Sequence, residues 1–296
     1  MTDARFGETW DRHADQPDAV AEELEAAAGA GLATPLLPEF ARIAAHTVGE
    51  HLGDWPRAAR LISTAVQPRR PDAETAKAWA HLWVSQSLAG DPAAAASTEL
   101  TYLAAAGADV WPALLEARFL LVAALVGTGR AAEAAAIYVA ALALAHGLSD
   151  AAPHRAIAVA SNNLASELVE APARTPDEAA LMRVAAEAAR KFWLKCGTWL
   201  HDERSLYLLA LVANVLSEPV EAIGHADAGL AVIAANGAAP IDETFLRLAR
   251  AHALKLAGDD GASAAELAIS DAAAGAWENP GLKSWYAEQR ARTIGI

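Results

Sequence analysis

Cysteine is almost missing: Cys196 is the single one in 296 residues, so no disulfide can close within the chain. Basic residues are also scarce, 23 Lys and Arg against 37 Asp and Glu, for a formal net charge of −14. Phosphate backbones and anionic lipids are bound by Lys and Arg that replace counterions, so neither a nucleic-acid nor a membrane partner is expected. The densest basic group is Arg57, Arg60, Arg69, Arg70 and Lys77, which reads as a solvated helix face and loop. Alternating runs of Val, Ile and Thr are lacking, which leaves little strand signal. There is no Gly-rich phosphate loop, no GxSxG elbow and no zinc pattern, so no enzymatic activity and no cofactor are expected. The start, MTDARFGETWDRH, lacks a basic region followed by an apolar core. The most apolar run, Leu114 to Val126, holds Glu116 and Arg118 and is shorter than the roughly 20 apolar residues of a spanning helix. A cytoplasmic location is the expectation.

What is present is alanine, with leucine behind it, and both favour helix because they lose little conformational freedom there. The stretch Trp111 to Leu148 shows the organising unit. Leu114, Leu121 and Leu125 recur at helical spacing before Gly127-Thr128-Gly129-Arg130, and Ala134, Ile137, Tyr138, Ala141 and Leu144 recur after it. Similar turns stand at Ala14 to Pro17, Gly53 to Pro56, Gly90 to Pro92, Pro172 to Pro176, Ser217 to Pro219 and Gly258 to Gly261. Their spacing is roughly 37–46 residues, the period of a helix-pair array. Second breaks fall at Gly29 to Gly31, Pro68 to Pro71, Gly107, Gly147, Gly197, Gly237 and Gly275. The prediction is an all-α chain: about seven antiparallel helix pairs wound as a right-handed superhelix, forming one domain over residues 1–296. A last helix after Asn279-Pro280 would cap the array, with Leu282, Trp285 and Tyr286 on one side and Lys283, Glu288, Gln289, Arg290 and Arg292 on a solvated face. The linker Glu170 to Pro176 is longer than the others, and Thr175 or Asp177 would cap the helix that follows.

These units resemble the tetratricopeptide repeat. Gly53-Asp54-Trp55 is followed by Ala58, Ile62 and Ala65, and Gly129 by Ala134, Tyr138 and Ala141, at the family's helix-B places. Trp79 and Leu82 fit before Gly90, and Phe6, Gly7 and Trp10 fit before the first turn. Asn162-Asn163-Leu164-Ala165 resembles a run found in kinesin-light-chain-type repeats. The period here exceeds the family's roughly 34 residues, and the Pro that ends helix B is mostly missing.

Candidate chemistry is sparse. The nine histidines are scattered. His46 and His51 are five apart, a spacing that an α-helix does not place on one face, so no metal is expected there. Trp199-Leu200-His201-Asp202-Glu203 reads as a helix start, with acidic residues at the positive end of the dipole. Cys196 follows Lys195 near a helix C-terminus, where the dipole raises a thiol's pKa. Trp79 and Trp83 have the spacing of a buried stripe.

The expected function is therefore a non-catalytic scaffold for a protein or peptide partner. In such repeats the concave wall comes chiefly from the first helices. On the register that the resemblance implies, Asn162, Asn163, Arg204, Tyr207, Asn214, His252 and Lys255 fall at or near that wall, with Asn163 and Asn214 foremost as partners for a peptide backbone. The alternative is a sensing domain that holds a small molecule and signals through a partner. The first hairpin is acidic (Asp3, Glu8, Asp11, Asp15, Asp18, Glu22, Glu23, Glu25) and does not read as a DNA-binding helix-turn-helix.

Overall fold

One turn, used repeatedly, sets the architecture. In the computed structural model, which describes residues 3–67, 69–148 and 151–294 (side chains 6–67, 69–148 and 153–292), first helices end on a residue in the left-handed region: Gly53, Gly90, Gly129 or Gly258, with φ between 67 and 83°. The next N–H turns back to a carbonyl five residues earlier, Asp91 to Gln86 at 3.1 Å, Arg130 to Leu125 at 2.9 Å and Asp259 to Leu254 at 2.9 Å. Carbonyls left over at the helix end are thereby satisfied. Asp54, Asp91 and Asp259 then cap the second helix, accepting from the N–H of Arg57, Ala94 and Ala262. Ser217 occupies the glycine position of the corresponding later turn at φ 60°, with Glu218 N–H bonded to the Ala213 carbonyl at 2.8 Å. Of the sequence features, Pro68 and the Asp3 side chain lie outside the described residues.

All described elements are helical and none is a strand. Backbone contacts divide the chain into two units, Met1–His146 and Gly147–Ile296, at a helix end that the sequence marks no differently from the others. The first unit holds α1 (Asp3–Arg12), α2 (Pro17–Ala30), α3 (Leu37–Ala44), α4 (Trp55–Val66), α5 (Ala76–Leu88), α6 (Pro92–Ala106), α7 (Val110–Gly127) and α8 (Ala131–Ala145). The second holds α9 (Ala151–Glu170), α10 (Pro176–Cys196), α11 (Trp199–Val215), α12 (Pro219–Asn236), α13 (Pro240–Leu256), α14 (Asp260–Gly275) and α15 (Pro280–Ile294). Consecutive helices pack as pairs, and in the second unit α11 also packs on α9 and α13. Every break read from the sequence falls at or beside a helix end.

Small alanines let these helices approach closely. Ala210, Ala226 and Ala249 meet where α11, α12 and α13 converge, all essentially without solvent contact. Larger side chains fill the rest: Phe40, Leu82, Leu125 and Tyr138 in the first unit, Ile157, Leu181, Met182 and Phe192 in the second. The Trp79–Trp83 stripe is buried as expected. At the end of the second unit, Tyr286 of α15 is buried beside Phe245, and the Trp285 ring lies 4.2 Å from Phe245 although Trp285 keeps part of its surface exposed. An 18-residue window within Pro92–Gly127 reaches a mean hydropathy of 1.7, enough by length and composition to cross a membrane. Gly107, at φ 55°, separates α6 from α7, and the two helices pack against each other.

One helix departs from the pattern. α3 continues into a π-helical turn, Ala45–His51. This turn holds one extra residue, so Asp54 N–H reaches back six positions, to the Val48 carbonyl at 2.9 Å, instead of five. Gly49 lies under the Trp55 ring, where a Cβ would come within 2.8 Å of ring carbon Cη2. The wider pitch also overturns the reading of His46 and His51. Five residues return to one face in a π turn, and their Nε2 atoms lie 3.2 Å apart.

Candidate functional site

The ends of α9 and α11, the middle of α13 and the last helix α15 enclose a cavity of about 630 Å³ in the second unit. Its apolar wall is Val169, Leu208, Leu211, Val215 and Trp285, and its polar groups include Tyr207, Asn214, His252, Arg174 and Arg292. α11 supplies Tyr207, Leu211 and Asn214, which succeed one another at helical spacing on one face.

Asn214 is 4 % exposed. Its Nδ2 donates to the Ala249 carbonyl at 2.8 Å, tying α11 to α13. A carbonyl only accepts, so that bond fixes the amide's orientation and leaves Oδ1 as the other end. Oδ1 is buried and has no hydrogen-bond partner among the described residues, and the same holds for His252 Nδ1. Burial, then the nearby Lys255 charge, lowers the pKa of His252, so the ring is neutral at pH 7. Burial likewise raises the Tyr207 phenol pKa. The cavity therefore presents uncharged polar groups among aliphatic and aromatic side chains, with its ions at the edge. One of those, Arg292, stands 3.6 Å from Glu170.

The long linker takes part directly. Arg174 turns back onto the carbonyls of Leu168, Val169 and Ala171 and closes the C-terminal end of α9. Thr175 caps α10 in a reciprocal box with Glu178, as its position suggested. Ala171, Pro172 and Arg174 thus form one side of the cavity.

Of the residues taken from the sequence, Tyr207, Asn214 and His252 come together here. Asn162 is half-buried and Asn163 exposed on α9, and neither lines the cavity. Lys255 is exposed in the last turn of α13, also off the wall. Arg204 points elsewhere: its guanidinium grips Asp242 at 3.0 and 3.2 Å, with Glu203 at 3.5 Å, so it is not held ready for a ligand carboxylate. The sequence reading missed Arg174, Trp285, Gln289 and Arg292. The last two sit on the helix face assigned to solvent, and only tertiary packing of α15 against α13 reveals their second role.

Other candidates are consumed by structure. His201 Nδ1 accepts from Thr198 N–H at 3.1 Å and caps α11, Asp202 pairs with Arg190 at 3.0 Å, and Cys196 donates to the Phe192 carbonyl while burial pushes its thiol pKa up. Within the basic group, Arg57 pairs with Glu25 at 2.7 Å and Arg69 donates to the Ala65 and Leu32 carbonyls. A smaller groove of about 340 Å³ between α10, α11 and α12 is lined by Arg183, Glu221 and His225, but Arg183 is already paired with Glu218 and Glu221.

No known protein family matches the chain, and no curated protein sequence matches it. Among solved structures, the chain is similar to the crystal structure of BtubC (BKLC) from P. vanneervenii, at 18% identity over 88% of this chain and 94% of that one, with a TM-score of 0.46.

Proposed function

We propose that the protein is a non-catalytic binding module of tetratricopeptide-like construction, and that the second unit's cavity receives a segment of an extended peptide. The observation that carries this reading is the pair of buried, unsatisfied acceptors or donors, Asn214 Oδ1 and His252 Nδ1, on an otherwise apolar wall. A buried polar atom without a partner costs about 1–3 kcal/mol. A peptide N–H delivered to Asn214 Oδ1 removes that cost and supplies direction. Leu211, Val215 and Trp285 would meanwhile cover an apolar side chain of the peptide. Tyr207, Asn214 and His252 come from successive first helices, the arrangement by which helical repeats build a recognition wall.

The size of the cavity supports a second reading. About 630 Å³ lies within the range of small-molecule sites, so a compact polar–apolar ligand would fit the same groups. A displayed library of short extended peptides, selected on the wild-type chain and counter-selected on an Asn214→Ala, His252→Ala double variant, separates the two. Enrichment of sequences that bind only the wild type supports the peptide. No enrichment, together with a thermal shift from a small-molecule panel that the double variant loses, overturns it in favour of the small ligand.

A further inference from the structure

The first unit contains a cluster that the binding cavity does not explain. His13, from the turn after α1, meets His46 and His51 of the π turn, with ring centroids 4.7–5.1 Å apart. We propose that these three histidines form a binding site for a divalent transition-metal ion of zinc-like chemistry.

The argument rests on which nitrogens are already used. His13 Nδ1 faces the backbone carbonyl of Trp10, and His46 Nδ1 faces the Glu50 carboxylate. Both partners only accept, so each Nδ1 must carry the ring proton. In the neutral rings both Nε2 atoms then carry bare lone pairs, and they point at one another across 3.1 Å. His51 Nε2 stands 3.2 Å from the same His46 Nε2. A proton on His51 could satisfy one of these contacts, but the His13–His46 contact would still oppose two lone pairs. A cation shared among the three resolves it.

The spacing fits. Bonds of about 2.0–2.1 Å in a tetrahedron put ligand nitrogens roughly 3.3 Å apart, close to the two separations seen. All three ligand atoms lie within 4.8 Å of one another, and His51, which would close the remaining gap, is exposed. Metal-bound histidines characteristically donate their other N–H to a carbonyl or carboxylate, and Trp10 and Glu50 supply one of each. Three histidines leave a fourth position for water or another ligand. The solvent-facing side at His51 gives an ion its way in.

Equilibrium dialysis of the chelator-stripped full chain against zinc chloride tests this. One zinc per chain is expected, with cobalt giving the intense visible absorption of a tetrahedral site. His51→Ala and His46→Gln should abolish stoichiometric binding, and Glu50→Gln should weaken it by about 10–100-fold, while His225→Ala, a substitution in the second unit, leaves it unchanged. His51 is exposed, so its variant separates lost ligation from lost folding, which circular dichroism checks. Absence of stoichiometric zinc and cobalt binding in the wild type overturns the proposal, as does binding that survives His51→Ala and His46→Gln.

Discussion

Glu203→Gln should stabilise the protein in a manner that depends on pH. Glu203 has no solvent exposure, and neither carboxylate oxygen has a hydrogen-bond partner among the described residues. Burial first, and the neighbouring Asp242 charge second, raise its pKa from 4.5 to about 7. Arg204, at 3.5 Å and committed to Asp242, offsets only part of this. Between pH 4.5 and 7 the folded chain thus holds a proton that the unfolded chain has released. Stability must fall as pH rises through that window and level off above it. With these two pKa values the loss is about 1 kcal/mol at pH 5 and about 3 kcal/mol at pH 8. A glutamine amide matches the protonated carboxyl in shape and does not titrate. The stability gap between variant and wild type should therefore widen by about 2 kcal/mol from pH 5 to pH 8. Urea unfolding at both values, followed through tryptophan fluorescence, measures it. Other carboxylates titrate alike in both proteins and cancel. A gap that stays constant, or narrows as pH rises, would refute the assignment of Glu203 as a carboxyl kept neutral by burial.

Ser217→Gly should raise stability by roughly 0.5–1 kcal/mol, because a side chain at φ 60° carries strain that glycine does not; an unchanged or lowered urea midpoint counts against that view of the turn. Asp259→Ala removes the bond to Ala262 N–H and should cost about 1 kcal/mol in the same assay. Gly49→Ala forces a methyl group onto the Trp55 ring and should cost about 1–3 kcal/mol, with a shift in tryptophan emission as the ring moves.

The helices were legible because their ends are chemical. A glycine able to take positive φ, an aspartate that caps and a proline in the first turn can all be read one residue at a time, and Gly90-Asp91-Pro92 states all three. Tyr207, Asn214 and His252 were legible for a related reason: polar side chains interrupt apolar first helices at matching places. Arg174 and Trp285 were not, because nothing local distinguishes a loop arginine that seals a helix end, or an aromatic on a terminal helix, from their solvated counterparts. His46 and His51 were misread through an assumption about pitch. A rule of 100° per residue separates them, and only the backbone between them shows that it does not apply.

The extra residue in Leu37–His51 has a consequence for insertions and deletions. Past the π turn, the helix end is the same as those after α5, α7 and α13, its closing bond merely spanning six positions. The surplus is absorbed entirely upstream of Leu52, and α4 begins as though nothing had been added. Removing one residue between His46 and Glu50 would restore ordinary helical pitch, leave the following turn intact and set the two histidines four apart, still on one face of the helix. The π turn and an α-helix one residue shorter thus present the same pair of histidines, with the rest of the repeat passed on unaltered.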